Sequence, residues 1–128
     1  MNCLVVKKIR KKINGYLKNI TENKLEEIKE NAICNKNKII YSKDNIKHTI
    51  ISKEKEIILI RESEEFKNIL TFSKNRSILS EYIIKENNFS VYIEIETLDI
   101  NKTDNELCIR YKIIETNIIY EYKITMEE

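Results

Sequence analysis

Proline is absent from this chain, and glycine occurs once, at Gly15. The shortage excludes the glycine-rich loops that cradle phosphates, which need several glycines close together. It also leaves the turns to other residues. Asn and Asp cluster as "NKN" at 35–37, "KDN" at 43–45, "ENN" at 86–88 and "NKTDN" at 101–105. Their side chains bond to nearby backbone and tolerate left-handed conformations, so they can reverse a chain without glycine.

Metal-ligating and nucleophilic residues are just as scarce. One His (His48) and three scattered Cys (Cys3, Cys34 and Cys108) show no C-x-x-C or other ligand spacing, so no metal and no cofactor are expected. A lone His with a mid-strand Cys108 makes no nucleophile–base pair, and no G-x-S-x-G elbow exists. Glu26-Glu27 and Glu64-Glu65 are adjacent carboxylates, but strand neighbours point to opposite faces and cannot share a proton. The expectation is that the chain is not an enzyme. Dispersed thiols of odd number fit a reduced, cytoplasmic setting.

No apolar run approaches the ~20 residues that span a bilayer, and the N-terminus lacks the long apolar core of a secretory signal. A cytoplasmic location without a membrane partner is therefore expected. Lys and Arg number 23 against 21 Asp and Glu, a net charge of +2 that argues against nucleic acid as a partner. "KKIRKK" at 7–12 carries five basic side chains in six positions, yet no aromatic ladder stands beside it. It reads as a solvated edge strand that resists aggregation.

What the chain does have is alternation. Its 128 residues, 41% apolar and 34% charged, suit one globular domain over 1–128 that buries roughly two-thirds of its unfolded surface. Candidate strands fall at 38–43, 46–52, 56–62, 66–73, 77–85, 89–100, 106–115 and 118–126. Short strands at regular spacing, with no convincing helix between them, argue an antiparallel meander. "CLVVKKIRKKI" reads as a first strand ending near Asn14-Gly15. Residues 22–34 fit either a helix, through Leu25, Ile28 and Ala32, or a charged outer strand.

Three local patterns sharpen this reading. In "FSVYIEIETLDI" the apolar set shifts parity from Phe89, Val91, Ile93 and Ile95 to Leu98 and Ile100, which predicts a bulge near Thr97. In "EIILIRE" Ile57 and Leu59 lie on one face and Ile58 and Ile60 on the other, so the outer side calls for cover by a helix, the N-terminal arm or a second subunit. The last hairpin, if turned at Thr116-Asn117, sets Ile113 opposite Tyr120, Tyr111 opposite Tyr122, Ile109 opposite Ile124 and Lys112 opposite Glu121. A one-residue slip there would bring Arg110 and Lys112 among the apolar residues.

The order of segments resembles the YwiB-like family of small bacterial proteins. It is carried by a basic first strand, a charged second strand, "NKNKIIYSKD", "IKHTIISKEKEIILIRESEEFKNILTFSKN", "SEYIIKENNFSVYIEIETLDI" and the "IRYKII" to "IIYEYKI" hairpin. "LIRES" at 59–63 and the strand carrying Tyr82 are its local markers. Members often have a Pro-Tyr-Gly turn after that tyrosine; "IIKENN" stands here instead, so no role of that turn carries over. The resemblance implies a calycin-type, lipocalin-like barrel and a strand at 22–34. It brings no established activity.

The expected fold is all-β, a single antiparallel up-and-down barrel of about eight to ten strands. A barrel of about this size is either filled by side chains or holds one small ligand. The inner set Ile93, Ile95, Ile109, Tyr111, Ile113, Tyr120, Tyr122 and Ile124 is bulky and favours a mostly filled interior, with a small pocket near Arg61. Arg61 follows Ile57 and Leu59 on one face, so its guanidinium can reach the barrel mouth, with Tyr82, Tyr111 and Tyr122 on apolar faces elsewhere. Such a group can anchor a carboxylate; alternatively Arg61 pairs with an internal acid or caps the barrel end. His48, on the Ile46/Ile50 face, joins these candidates, although a packed, hydrogen-bonded histidine is its ordinary role. Two functions follow: binding of a small amphipathic or anionic ligand, or a protein-interaction module, a homodimer included.

Overall fold

The computed structural model describes residues 9–127, all in strands and the turns between them. Ten strands run in order: β1 (Ile9–Asn19), β2 (Lys24–Asn35), β3 (Lys38–Lys43), β4 (Ile46–Ser52), β5 (Ile57–Glu62), β6 (Phe66–Phe72), β7 (Ser77–Ile84), β8 (Phe89–Lys102), β9 (Glu106–Ile113) and β10 (Ile118–Met126). Each pairs antiparallel with its neighbours in sequence, and β1 pairs with β10 to close an up-and-down barrel. Cys3 and the first two lysines of "KKIRKK" lie outside the described residues.

Alternation explains the core. Ile109, Tyr111, Tyr122 and Ile124 point inward and are buried, as are Ile13, Ile50, Leu59 and Phe72 from strands around the ring. In β2 the buried residues are Ile28, Ala32 and Cys34, a period of two; Leu25, which a helix would have buried, is 59% exposed. The bulge falls between Thr97 and Asp99, which returns Ile100 to the inner face opposite Ile109. On the outer face of β5, Ile58 and Ile60 are half-buried beside Thr49, Ile51, Ile69 and Thr71 on the flanking strands. No helix covers them among the described residues.

Asn and Asp do the turning. Among the described residues, all six with positive φ are of these types: Asn23, Asp44, Asn45, Asn75, Asn88 and Asn117. Asp44 and Asn45 form a two-residue hairpin turn in which both central residues have positive φ, as a type I′ turn requires.

The last hairpin differs from expectation by two residues. Its loop is the four residues 114–117, with the Asn117 amide donating to the Ile113 carbonyl at 2.9 Å. Tyr111 therefore faces Tyr120, Ile109 faces Tyr122, and Arg110 faces Glu121 with an ion pair of 2.8 Å. A two-residue shift leaves every side chain on its face, so side-chain parity cannot detect it. The Tyr111 and Tyr120 rings stack at 5.4 Å.

The first strand also runs past its expected end, through Gly15 to Asn19. Gly15 sits mid-strand between Ile28 of β2 and Ile124 of β10. A Cβ there would overlap the main-chain oxygen of Lys123, so this position is held to glycine by close approach of backbone rather than by a turn. Gly15→Ala is expected to destabilise the barrel by about 3 kcal/mol or more, at the upper end of overpacking costs because backbone cannot move aside. Urea unfolding measures it; an unchanged midpoint would mean that β1 and β10 separate without cost.

Candidate functional site

The ladder places side chains in rows. The Asp44-Asn45 turn sets Tyr41 opposite His48; β4–β5 pairing sets His48 opposite Arg61, and β5–β6 pairing sets Arg61 opposite Asn68. Asn68 is opposite Tyr82 in turn. All five sit at inward positions, so four turns of register build one polar row on one wall. The Tyr41 and His48 rings stack at 4.5 Å and are parallel to within 1°.

Across the interior stand Tyr111 from β9, Tyr122 from β10 and Leu17 from β1. The Tyr122 and Tyr41 hydroxyls meet at 2.5 Å although 81 residues separate them. Between these walls is a cavity of about 60 Å³, lined by Arg61, His48, Tyr41, Tyr111 and Tyr122, with apolar floor residues such as Leu59 and Leu70. Four of the five sequence candidates thus share one cavity. The fifth, Tyr82, does not line it; its ring stacks on Phe66 at 5.2 Å.

The charges are unevenly committed. Lys43 and Glu26, both on the cavity wall, pair with each other at 2.6 Å. They bridge a seam where the barrel wall is not zipped, because β2 and β3 pair only at Ile33–Asn35 with Lys38–Ile40. Arg61 has no ion-pair partner among the described residues. Its neighbour Asn68 spends its amide on the Glu81 carbonyl and the Ser80 hydroxyl instead. His48 is packed, as an inner histidine should be, but its buried Nδ1 has no hydrogen-bond partner among the described residues.

Burial, and after it the Arg61 charge, pulls the His48 pKa down to about 4, so the imidazole is neutral at pH 7. Burial pushes Tyr41 up to about 12 and raises Tyr111 and Tyr122 as well, with Arg61 opposing the rise at all three. The site therefore offers one fixed guanidinium, neutral phenols and a neutral imidazole. It has the means to hold an anion.

Other candidates fall elsewhere. Cys34 and Cys108 are free thiols whose pKa burial raises, which leaves them unreactive. Glu64 and Glu65 lie in the β5–β6 turn, beside a surface groove of about 1090 Å³ that also carries Glu30, Asp44 and Glu62. So many carboxylates repel an anion. No group of three or more His, Cys, Asp or Glu that could hold a metal occurs among the described residues. No helix there is long and apolar enough to cross a membrane. Tyr41, Lys43 and Glu26 are the site residues that sequence reasoning missed; for Tyr41 the two-residue turn at Asp44-Asn45 already implied a place opposite His48.

The crystal structure of ywiB protein from Bacillus subtilis superposes with a TM-score of 0.65, covering 92% of this chain and 89% of that one at 15% sequence identity. The two proteins share a fold. At that identity the likeness to ywiB protein shows architecture alone, and it agrees with the YwiB-like order of segments. No family model and no curated protein matches the chain.

His48 makes stability depend on pH. The unfolded residue titrates near 6.5 and the folded one near 4, so the folded state binds fewer protons between these values. Stability is expected to fall as pH drops through that window, by at most about 3 kcal/mol at 1.36 kcal/mol per pH unit. His48→Phe keeps a ring against Tyr41 and removes the proton site, so its acid limb should be flatter between pH 6.5 and 4 than that of the native chain. Parallel limbs in urea titrations would show that His48 is not held neutral.

Proposed function

We propose that this protein is a small cytoplasmic binding protein of calycin type, rather than an enzyme, that holds a small amphipathic or anionic ligand in its barrel at Arg61. The observation that carries the reading is the uncommitted guanidinium in a half-enclosed cavity, next to a buried imidazole nitrogen that also lacks a partner. Partly buried charge without a counter-charge is costly, and so is a buried polar atom without a hydrogen bond. An anion seated at Arg61 relieves the first of these costs. Tyr41, Tyr111 and Tyr122 supply hydroxyls and aromatic walls around it, and Tyr82 stands in the same row of the ladder.

A second reading has its own support. Most of the interior is filled, and Ile40, Ile51, Ile58, Ile60 and Ile69 form an uncharged outer stripe across four strands of a chain that is 34% charged. A stripe of this kind suits a homodimer or another protein partner, with no ligand in the barrel. Sedimentation that finds a strict monomer at high concentration removes the homodimer.

Native mass spectrometry of gently purified protein separates the readings. The ligand reading expects a reproducible adduct that is lost on denaturation and lost from Arg61→Leu, with the unfolding free energy of that variant within about 1 kcal/mol of the native value. An adduct that persists in Arg61→Leu places binding elsewhere; a bare polypeptide mass favours the filled core.

A further inference from the structure

We infer that the occupant is a compact monocarboxylate, an acid of only a few carbons, rather than an amphiphile with a tail. The inference rests on the ligand reading above and specifies its chemistry.

Size comes first. Ligand pockets for drug-sized molecules run to about 300–1,000 Å³. The cavity here is about 60 Å³, enough for a few waters or one small head group. Its walls do not yield readily. Tyr111 packs against Phe72 at 5.0 Å and Tyr120 at 5.4 Å, Tyr122 is tied to Tyr41 through their hydroxyls, and Leu59, Leu70 and Ile28 close the floor. A tail running inward would have to displace core that is already packed.

Charge comes second. The cavity is lined by two cations, Arg61 and Lys43, and one carboxylate, Glu26; His48 is neutral at pH 7. Two positive charges less one negative leaves a single positive charge to match. Because Lys43 is engaged with Glu26, that charge is the guanidinium. A monoanion balances it, whereas a dianion such as hydrogen phosphate would leave one negative charge unmatched on the same side of the barrel as Glu26.

Shape comes third. A guanidinium presents two parallel N–H groups that match two coplanar carboxylate oxygens. Lysine would keep the charge and lose the fork.

The test is an NMR titration of the full-length chain with formate, acetate, propionate, octanoate and inorganic phosphate, following the Arg61 side-chain and His48 backbone signals. Propionate or a shorter acid is expected to bind, with octanoate at least about ten-fold weaker. Arg61→Leu should weaken the short acid at least about ten-fold, from the usual strength of hydrogen bonds to charged groups, and Arg61→Lys should weaken it to a smaller extent. Arg61→Lys also serves if the leucine variant fails to fold. Octanoate binding more tightly than propionate, gaining roughly four-fold per methylene as a buried tail would, overturns the size argument but leaves the anion at Arg61. Phosphate binding more tightly than any monocarboxylate overturns the charge argument, and the monocarboxylate with it, but leaves the anion at Arg61. No Arg61-dependent shift with any of the five would bring down the ligand reading itself.

Discussion

Strand β1 carries two ladders at once, one to β2 and one to β10, and the barrel exists because both can form over the same residues. At Gly15 the β10 main chain comes so close that no side chain fits between. The chain's only glycine is therefore spent on closure, while Asn and Asp supply the positive φ angles that glycine commonly supplies. Without closure, β10 would be an edge and Tyr122 would have nothing to meet. With it, Leu17 and Tyr122 are brought over Tyr41 and Arg61, and a cavity is enclosed by strands from both ends of the sequence.

The interior that results is mostly apolar, with Arg61, His48 and the tyrosines around them gathered at one level. Tyr41, His48, Arg61 and Asn68 follow one another across four strands because antiparallel pairing carries a register from each hairpin to the next. Polar groups set in such surroundings act strongly on each other. Burial keeps His48 without charge and raises Tyr41, Tyr111 and Tyr122, while the Arg61 charge adds to the first effect and opposes the second. The opening in the wall lies at this same level. There β2 and β3 part after Ile33 and Ile40, and the Lys43–Glu26 pair spans the gap.

Strand positions were readable because alternation is a local property: eight strands from residue 38 onward were expected within a residue or two of where they lie, and the bulge after Thr97 showed as a change of parity. Register was less readable. The final hairpin keeps its faces whether Tyr111 meets Tyr120 or Tyr122, so parity allowed both; the observed loop places Asn117, with positive φ, at its last position. Gly15 looked like a strand end because glycine usually marks one; the backbone that excludes a side chain there belongs to residue 123, far away in the chain. Residues 22–34 were ambiguous because Leu25, Ile28 and Ala32 satisfy a helical period as well as they satisfy part of a strand.

The sequence by itself determined an all-β meander, turned by Asn and Asp, with Arg61, Tyr111 and Tyr122 on inward faces, since side-chain period and turn chemistry act over a few residues. Tertiary structure alone decided which of those inward residues meet. It left Arg61 without an acid among the described residues, gave Glu26 to Lys43, joined Tyr41 to Tyr122 and stacked Tyr82 on Phe66 outside the cavity. These choices depend on how the ring closes and how its rows climb around the wall, which no segment of the chain specifies on its own.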